Sequence, residues 1–191
     1  MNRFWKSCWQ PSASPTHSAV NLGESFTSHG DELLQQLESF ASELQGNMLS
    51  EDKSFLVSHI TQKKFFNKVF VNVVPNYHEH KSYKNEHNGL YAFALVEDGR
   101  VDFRYIGISR TIMKRFSDHT KSKKKNNANW AFLMAQGDGP DGAIDRIPVK
   151  QLDMHHMRFT FLHIDNPNLR LMAEVYCANK LKSFWNSFDT H

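Results

Sequence analysis

The residues that could do chemistry lie in the second half of the chain. Two short strings come first, Gly89-Leu90-Tyr91 and then Tyr105-Ile106-Gly107. An arginine, a histidine four positions later, a glutamate and an asparagine follow in this order: Arg115, His119, Glu174 and Asn186. Phenol oxygens can position or deprotonate a water, a fixed guanidinium can hold a phosphate, and a carboxylate can bind a divalent metal. This combination is suited to the hydrolysis of a phosphodiester bond.

Each of these residues also has an ordinary structural explanation. A buried tyrosine in a strand usually packs and ties its hydroxyl to a neighbour, and His119 could be a surface histidine at a helix end. Glu174 differs, because it lies in a mostly apolar helical segment, Leu171 to Tyr176. A lone acid among core-facing residues needs a partner.

The order and spacing of these residues resemble the GIY-YIG endonuclease family over roughly residues 88–191, with leucine in place of isoleucine in the first string. The resemblance implies that Tyr91 and Tyr105 line the catalytic face, and that Tyr91 orients or deprotonates the attacking water. Gly89 and Gly107 are expected where the backbone passes close to another element.

The resemblance also assigns the remaining polar residues. Arg115 would bind the phosphate through its two-pronged guanidinium, in preference to Arg110 at the start of the same helix. His119 would act as a general base or contact the scissile phosphate. Glu174 would be the metal ligand, with Mg²⁺ or Mn²⁺ as the cofactor. Asn186 would support the site or contact a phosphate.

A basic run lies immediately after the second string. Residues 110–125 contain seven lysines and arginines and one acid, whereas residues 31–52 contain six acids and no lysine or arginine. This asymmetry indicates a polyanionic partner near the middle of the chain. The alternative is a solvated lysine-rich loop. We expect these lysines to bind nucleic acid: Lys114, Lys121, Lys123, Lys124 and Lys125.

The pattern of the second half predicts the order strand, strand, helix, helix, strand, helix. The resemblance implies that these elements form an α/β fold, a small three-stranded antiparallel sheet flanked by helices. The expected elements are strands at 89–96, 101–108 and 157–164, a helix at 110–120 capped by Ser109, a short helix at 129–135, a loop at 136–148 and a final helix from Asn168 to about 183. A turn over residues 97–100 joins the first two strands. This region, 88–191, is the expected nuclease domain.

The first half predicts a mainly helical extension over residues 31–87. Asp31 is expected to cap a helix at 32–45, Ser50 to start a second helix, and residues 69–74 to form a strand before a polar loop at 76–88. Residues 1–30 have the composition of a flexible lead-in. Trp5 and Trp9 are unusual in such a segment, and docking on the domain and docking on a partner both stay open.

Composition limits the class of protein. The chain has 191 residues and is 40% hydrophobic, with a net charge of +3. No apolar run reaches the length of a membrane span, no signal peptide is recognisable, and Cys8 and Cys177 form no disulfide framework. We therefore expect a cytoplasmic protein with no membrane partner.

Together these observations predict a metal-dependent endonuclease that cleaves double-stranded DNA. The resemblance implies a restriction-type enzyme first, because some restriction enzymes of that family have a histidine four residues after the arginine, as His119 follows Arg115, and a nuclease toxin or mobile-element nuclease next. A non-catalytic nucleic-acid-binding module on the same fold is an alternative. So is an RNA-processing nuclease, because nothing in the sequence reads a 2′-hydroxyl. The oligomeric state stays open.

Overall fold

The computed structural model describes residues 22–60 and 87–186, with side chains from residue 29 onward. These residues form a mixed α/β structure in which helices pack on both faces of a four-stranded antiparallel sheet. The elements are α1 (Leu22–Leu49), β1 (Phe55–Leu56), α2 (Val57–Ile60), β2 (Gly89–Glu97), β3 (Arg100–Ser109), α3 (Ile112–Lys121), α4 (Asn129–Gly137), α5 (Ala143–Asp153), a 3₁₀ turn (Met154–His156), β4 (Arg158–His163) and α6 (Pro167–Lys180).

The hairpin of β2 and β3 carries the two tyrosine strings. Asp98 and Gly99 join the strands with φ values of 50° and 74°, and positive φ at both positions is what a tight two-residue hairpin requires. Tyr91 pairs with Gly107 in the resulting register. Because the strand order is β1-β4-β2-β3, β3 lies at the edge of the sheet.

β2 is buried on both faces and separates two hydrophobic cores. Alternate side chains of a strand point to opposite faces, so Tyr91 and Phe93 enter the core that contains α3, α4 and α5. Leu90 and Ala92 enter the other core, with α1 and α6. The first face holds most of the candidate site. The second face packs α1 of the 31–87 extension against the sheet of the 88–191 region, whereas Val57 and Ile60 of α2 enter the first core.

The sheet has four strands where the sequence predicts three. The additional strand, β1, pairs Phe55 with Phe159 of β4. These residues were expected in a helix starting at Ser50, and that prediction is wrong. The physical reason is tertiary: the Arg158 side chain of β4 donates hydrogen bonds to the Ser54 hydroxyl and carbonyl oxygens, at 2.7 Å each, and holds this segment at the edge of β4.

α1 is longer than predicted at both ends. It begins at Leu22, within the expected lead-in, so Asp31 is an interior residue and does not cap it. It also continues past Gly46-Asn47 to Leu49. Asn47 and Met48 are buried there, and the Ser54 hydroxyl donates a 2.9 Å hydrogen bond to the Met48 carbonyl near the helix end. Burial against the sheet extends a helix that local sequence signals would end.

Two further boundaries differ from the prediction. The expected loop at 136–148 contains the start of α5, in which Ala143, Ile147 and Gln151 recur at helical spacing and are buried. Gly- and Asp-rich composition obscures this stripe in the sequence. Ser109 does not cap α3, which begins at Ile112; its hydroxyl instead accepts a 2.9 Å hydrogen bond from the backbone N–H of Thr111.

Some predictions fall outside the described residues, namely the strand at 69–74, most of the loop at 76–88, and residues 1–21 of the lead-in. Within the parts of the chain that the structure describes, no helix is both long enough and apolar enough to cross a membrane.

Candidate active site

Five of the six candidate site residues form one connected group at the edge strand β3. Tyr91 and Tyr105 come from β2 and β3, Arg115 and His119 from α3, and Glu174 from α6. Their electrostatic interactions link them, since Arg115 acts on both phenols, on the imidazole and on the carboxylate. The group therefore draws on helices from both faces of the sheet.

Tyr91 and His119 form the buried part of the site. The Tyr91 hydroxyl and His119 Nε2 are 2.9 Å apart and share a hydrogen bond. Tyr91 is only 1% exposed, and burial, followed by the neighbouring Tyr105, raises its pKa well above the usual range. The ring lies against Gly107, where a Cβ atom would come within 2.6 Å of the phenol oxygen. Gly107 is thus required for the position of this tyrosine.

His119 is held neutral. Burial, and then the positive charge of Arg115, lower its pKa well below the usual range. Its second ring nitrogen, Nδ1, is buried and has no hydrogen-bond partner among the described residues. Because no second partner fixes the tautomer, the ring can carry its proton on either nitrogen. The alternative explanation, a surface histidine at a helix end, is wrong, because His119 is buried.

Tyr105 is half-buried and closer to solvent than Tyr91. Its ring stacks on the buried indole of Trp130, with the centroids 5.1 Å apart and the planes at 20°. Burial raises the pKa of the phenol, although Arg115 opposes this effect. Tyr105 is therefore a neutral hydroxyl donor whose ring is fixed by stacking.

Arg115 points its guanidinium into the group. Nη1 donates a 3.1 Å hydrogen bond to the carbonyl oxygen of Asn127, in the loop after α3. Burial acts to lower its pKa, but the oxygens of Tyr91 and Tyr105 outweigh this effect and raise it, so the cation is fixed. Arg110, the competing residue, is exposed and precedes α3.

Glu174 is the carboxylate of the group. It is half-buried on α6, accepts a hydrogen bond from the backbone of Ile108, and feels the charge of Arg115. Burial nevertheless raises its pKa, which means that its ionised form is short of compensating charge.

These properties fit a hard divalent cation. Such a cation prefers oxygen ligands and would supply positive charge beside the desolvated carboxylate. Among the residues that the structure describes, no three His, Cys, Asp or Glu side chains cluster to hold a metal. A cation at Glu174 would therefore take its other ligands from water and substrate phosphate, as Mg²⁺ commonly does.

The side-chain amide of Asn186 forms hydrogen bonds within the protein and supports the neighbouring strand β3. Its Oδ1 accepts from the backbone N–H of Ile106 at 2.8 Å, and its Nδ2 donates to the carbonyl of the same residue at 2.6 Å. Ser183 also donates to Oδ1. The amide thus imitates a neighbouring strand, and it fixes β3 between the two site residues Tyr105 and Gly107.

The predicted nucleic-acid-binding lysines lie beside the group on α3 and in the loop that follows it. All five are exposed. Lys114 forms an ion pair with Asp118 at 2.6 Å, one turn along α3, and Lys125 lies 4.4 Å from the centre of the Phe132 ring. Burial lowers the pKa of Lys121. The contacts of Lys114 and Lys125 would compete with phosphate binding. Lys123 and Lys124 are therefore favoured as the lysines that contact phosphate.

Sequence reasoning missed three residues that position the site. The indole ring of Trp130 stacks on the ring of Tyr105, and the backbone carbonyl of Asn127 accepts the hydrogen bond from Arg115. Gln151 of α5 is buried and donates through Nε2 to the carbonyls of His119 and Ser122, at 3.0 and 2.8 Å. Trp130 stands in an apolar helical segment that could have suggested a core role. Nothing in the local sequence distinguishes Asn127 or Gln151.

Comparison of the chain with protein-family models, with curated proteins and with solved structures finds no match in any of the three. The residues and geometry of the site are therefore what a functional proposal can draw on.

Proposed function

We propose that this chain is a metal-dependent endonuclease that hydrolyses phosphodiester bonds in DNA, with a GIY-YIG type of active site. One observation carries the proposal. Two phenols, a fixed guanidinium, a neutral imidazole and a half-buried carboxylate come from four separate elements and interact at one place. Ionisable groups with perturbed pKa values that lie together in this way are characteristic of functional sites.

The buried pair would handle the proton of the attacking water. Tyr91 is not ionised to a phenolate at neutral pH, because its pKa is raised well above the usual range. Its hydroxyl can accept a proton only if it passes its own to a neighbour, and the neutral His119 Nε2 lies 2.9 Å away for this purpose. A water at the Tyr91 hydroxyl would thus be deprotonated through a two-residue relay.

The half-buried groups would contact the phosphate. Arg115 keeps its charge and presents a planar fork that suits two phosphate oxygens. Tyr105, fixed by stacking on Trp130, would donate a hydrogen bond beside it. When bound at Glu174, a divalent cation would supply Lewis-acid stabilisation of the negative charge that builds up on the phosphate. All of these groups are preorganised, so little reorganisation is needed at the transition state.

The nature of the substrate rests on the basic residues beside the site. Lys123 and Lys124, with their neighbours in the run, would hold a polyanion longer than a single phosphate. Double-stranded DNA is the proposed substrate, and a restriction-type enzyme is the proposed class. An RNA substrate is the alternative, because nothing in the sequence reads a 2′-hydroxyl, and the experiment therefore includes both nucleic acids.

The proposal is tested by incubating the purified full-length chain with supercoiled plasmid and, separately, with structured RNA, each with and without Mg²⁺. Tyr91→Phe removes the proton acceptor and keeps the ring. Tyr176→Phe is its matched control, because this tyrosine lies on α6 beside Glu38 and outside the site. We expect Mg²⁺-dependent nicking or linearisation by wild type and by the control, and none by Tyr91→Phe.

Other outcomes would redirect the proposal. Cleavage of RNA alone would replace DNA with RNA as the substrate. Tight DNA binding with no cleavage in Mg²⁺ or Mn²⁺ would identify a binding module. Equal cleavage by both tyrosine variants would show that Tyr91 takes no part, and that the activity arises elsewhere.

A further inference from the structure

An apolar groove lies between α1 and α6, on the face of the sheet opposite α3, α4 and α5. It has a volume of about 780 Å³. Leu37 of α1 lines one side, and the exposed stripe of α6 lines the other. Leu171, Met172 and Val175 in this stripe are 56%, 47% and 47% exposed. Large apolar side chains that are exposed side by side mark a surface that something covers.

We propose that this groove is the docking site for residues 1–10 of the same chain. The apolar residues of that segment recur at the spacing i, i+3, i+4, i+7 and i+8: Met1, Phe4, Trp5, Cys8 and Trp9. This is the spacing of a single apolar stripe on a helix. The stripe spans about 12 Å at 1.5 Å per residue, and so does the α6 stripe from Leu171 to Asn179, because each covers eight residue steps.

The connecting chain is long enough for this docking. From the first residue of α1, Leu22, to Leu37 in the groove, the helix rises about 22 Å. Residues 10–21 can span about 40 Å when extended. Pro11 and Pro15 fall in this connection, where they would end a helical stripe before the chain turns back. The segment can therefore fold back along α1 and reach the groove of its own molecule.

The charges of the two surfaces are complementary. Residues 1–23 contain Arg3 and Lys6 and no acid. On α1, Asp31 and Glu38 lie one turn before and one turn after the exposed Leu34, on the side that continues into the groove. Residues 31–45 contain no lysine or arginine. The α1 side of the groove is therefore acidic, whereas the α6 side carries Lys180, which forms a 2.7 Å ion pair with Glu38. A basic aromatic segment would meet Asp31 and the other acids of α1.

Cys8 provides a direct test on the full chain. Single cysteines replace each exposed apolar residue of the groove in turn: Leu171→Cys, Met172→Cys and Val175→Cys. Three matched controls carry cysteine on α5, across the sheet, at residues with comparable exposure of 56%, 55% and 59%: Ile144→Cys, Val149→Cys and Leu152→Cys. The native Cys177 is buried, and burial raises its pKa to about 12, so its thiol stays unreactive in the assay.

Mild oxidation of dilute protein, followed by non-reducing electrophoresis and peptide mass analysis, measures the disulfides formed with Cys8. We expect at least one groove variant to form an intramolecular disulfide at least tenfold faster than every α5 variant. Equal rates on both helices would overturn the proposal. Disulfide-linked dimers whose yield rises with protein concentration would also overturn it, in favour of a second copy in the groove.

A second measurement needs no change in the groove. The reaction of Cys8 with a soluble thiol reagent is compared between wild type and the Trp5→Ser, Trp9→Ser double variant. Docking shields Cys8, so the double variant should react several-fold faster. An unchanged rate would contradict docking through the apolar stripe.

Discussion

Arg115 is the side chain whose loss should separate catalysis from substrate binding. We expect Arg115→Ala to cleave DNA about 10²–10³-fold more slowly under single-turnover conditions, which corresponds to about 3–4 kcal/mol of transition-state stabilisation. DNA affinity should change little, because one phosphate contact among several lysine contacts contributes modestly. Arg115→Lys should restore little activity, since a point charge cannot replace the bidentate fork.

The variant should remain folded, and the structure gives the size of the cost. Arg115 makes one hydrogen bond to a protein carbonyl, from Nη1 to Asn127 at 3.1 Å, it also interacts with the hydroxyl oxygens of Tyr91 and Tyr105, and it is half-buried. The loss of a charged hydrogen bond of this kind costs about 1.5–3 kcal/mol, with the lower end expected at partial exposure. Domains of this size are typically stable by about 5–15 kcal/mol, so the defect in cleavage cannot be attributed to unfolding.

An NMR titration supplies a readout that does not depend on activity. Burial and the charge of Arg115 both lower the pKa of His119. In Arg115→Ala the charge effect is gone and burial remains, so the pKa of His119 should rise but stay below its usual value. Arg110→Ala is the matched control, because Arg110 is exposed and lies outside α3. It should leave both the titration and the cleavage rate close to wild type.

The opposite result would refute the assignment. If Arg110→Ala is inactive while Arg115→Ala cleaves normally, the guanidinium that contacts the phosphate is not the one in this cluster. If Arg115→Ala is inactive but the pKa of His119 does not move, the two side chains are not coupled as the structure has them.

Three further predictions concern other parts of the site. Glu174→Gln should abolish Mg²⁺-dependent cleavage, and its melting temperature at pH 7 should equal or exceed that of wild type. Because the folded state raises the pKa of Glu174, folding disfavours the ionised carboxylate, so the gain in stability should disappear as the pH falls below about 4.5. A variant that melts at a lower temperature than wild type at pH 7 would contradict this prediction. Gly107→Ala should lower the free energy of unfolding in denaturant by about 1–3 kcal/mol, since its Cβ would lie 2.6 Å from the Tyr91 hydroxyl oxygen. Gly30→Ala is the control, because Gly30 has open space around it, and this change should stabilise α1 by about 0.5–1 kcal/mol. Equal changes in the free energy of unfolding of the two variants would contradict the close approach at Gly107. Neutralising Lys121 at the end of α3, with Lys123, Lys124 and Lys125 in the loop after it, should weaken binding to all DNA sequences alike. It should also reduce the slope of log affinity against log salt by about 0.9 per lost phosphate contact. An unchanged slope would mean that these lysines are only solvated surface groups.

Several features of this chain could be predicted from the sequence because neighbours along the chain decide them. Asp98-Gly99 can adopt the positive φ of a tight hairpin, so β2 and β3 are joined there and the two tyrosine strings face each other. The spacing from Arg115 to His119 is one helical turn, so any helix through both residues places them on one side. The three main strands and the last helix follow from periodicity in the same way.

Other features depend on which elements pack together, and local sequence does not encode them. β1 exists because Arg158, more than a hundred residues away along the chain, bonds to Ser54. The stripe of α5 is masked by Gly and Asp and becomes evident only through burial. α1 passes its own helix-ending signal at Gly46 because the sheet buries the turn that follows.

In the candidate site too, the sequence determines some features and the tertiary structure determines others. The sequence by itself determined which chemical groups the chain carries and in what order. Only the tertiary structure decided that His119 is buried, neutral and hydrogen-bonded to the Tyr91 hydroxyl. It also decided that the amide of Asn186 forms hydrogen bonds with the backbone of Ile106. The partners and pKa of a polar group depend on desolvation and on charges a few ångströms away in space, and these surroundings are assembled from residues far apart in the chain.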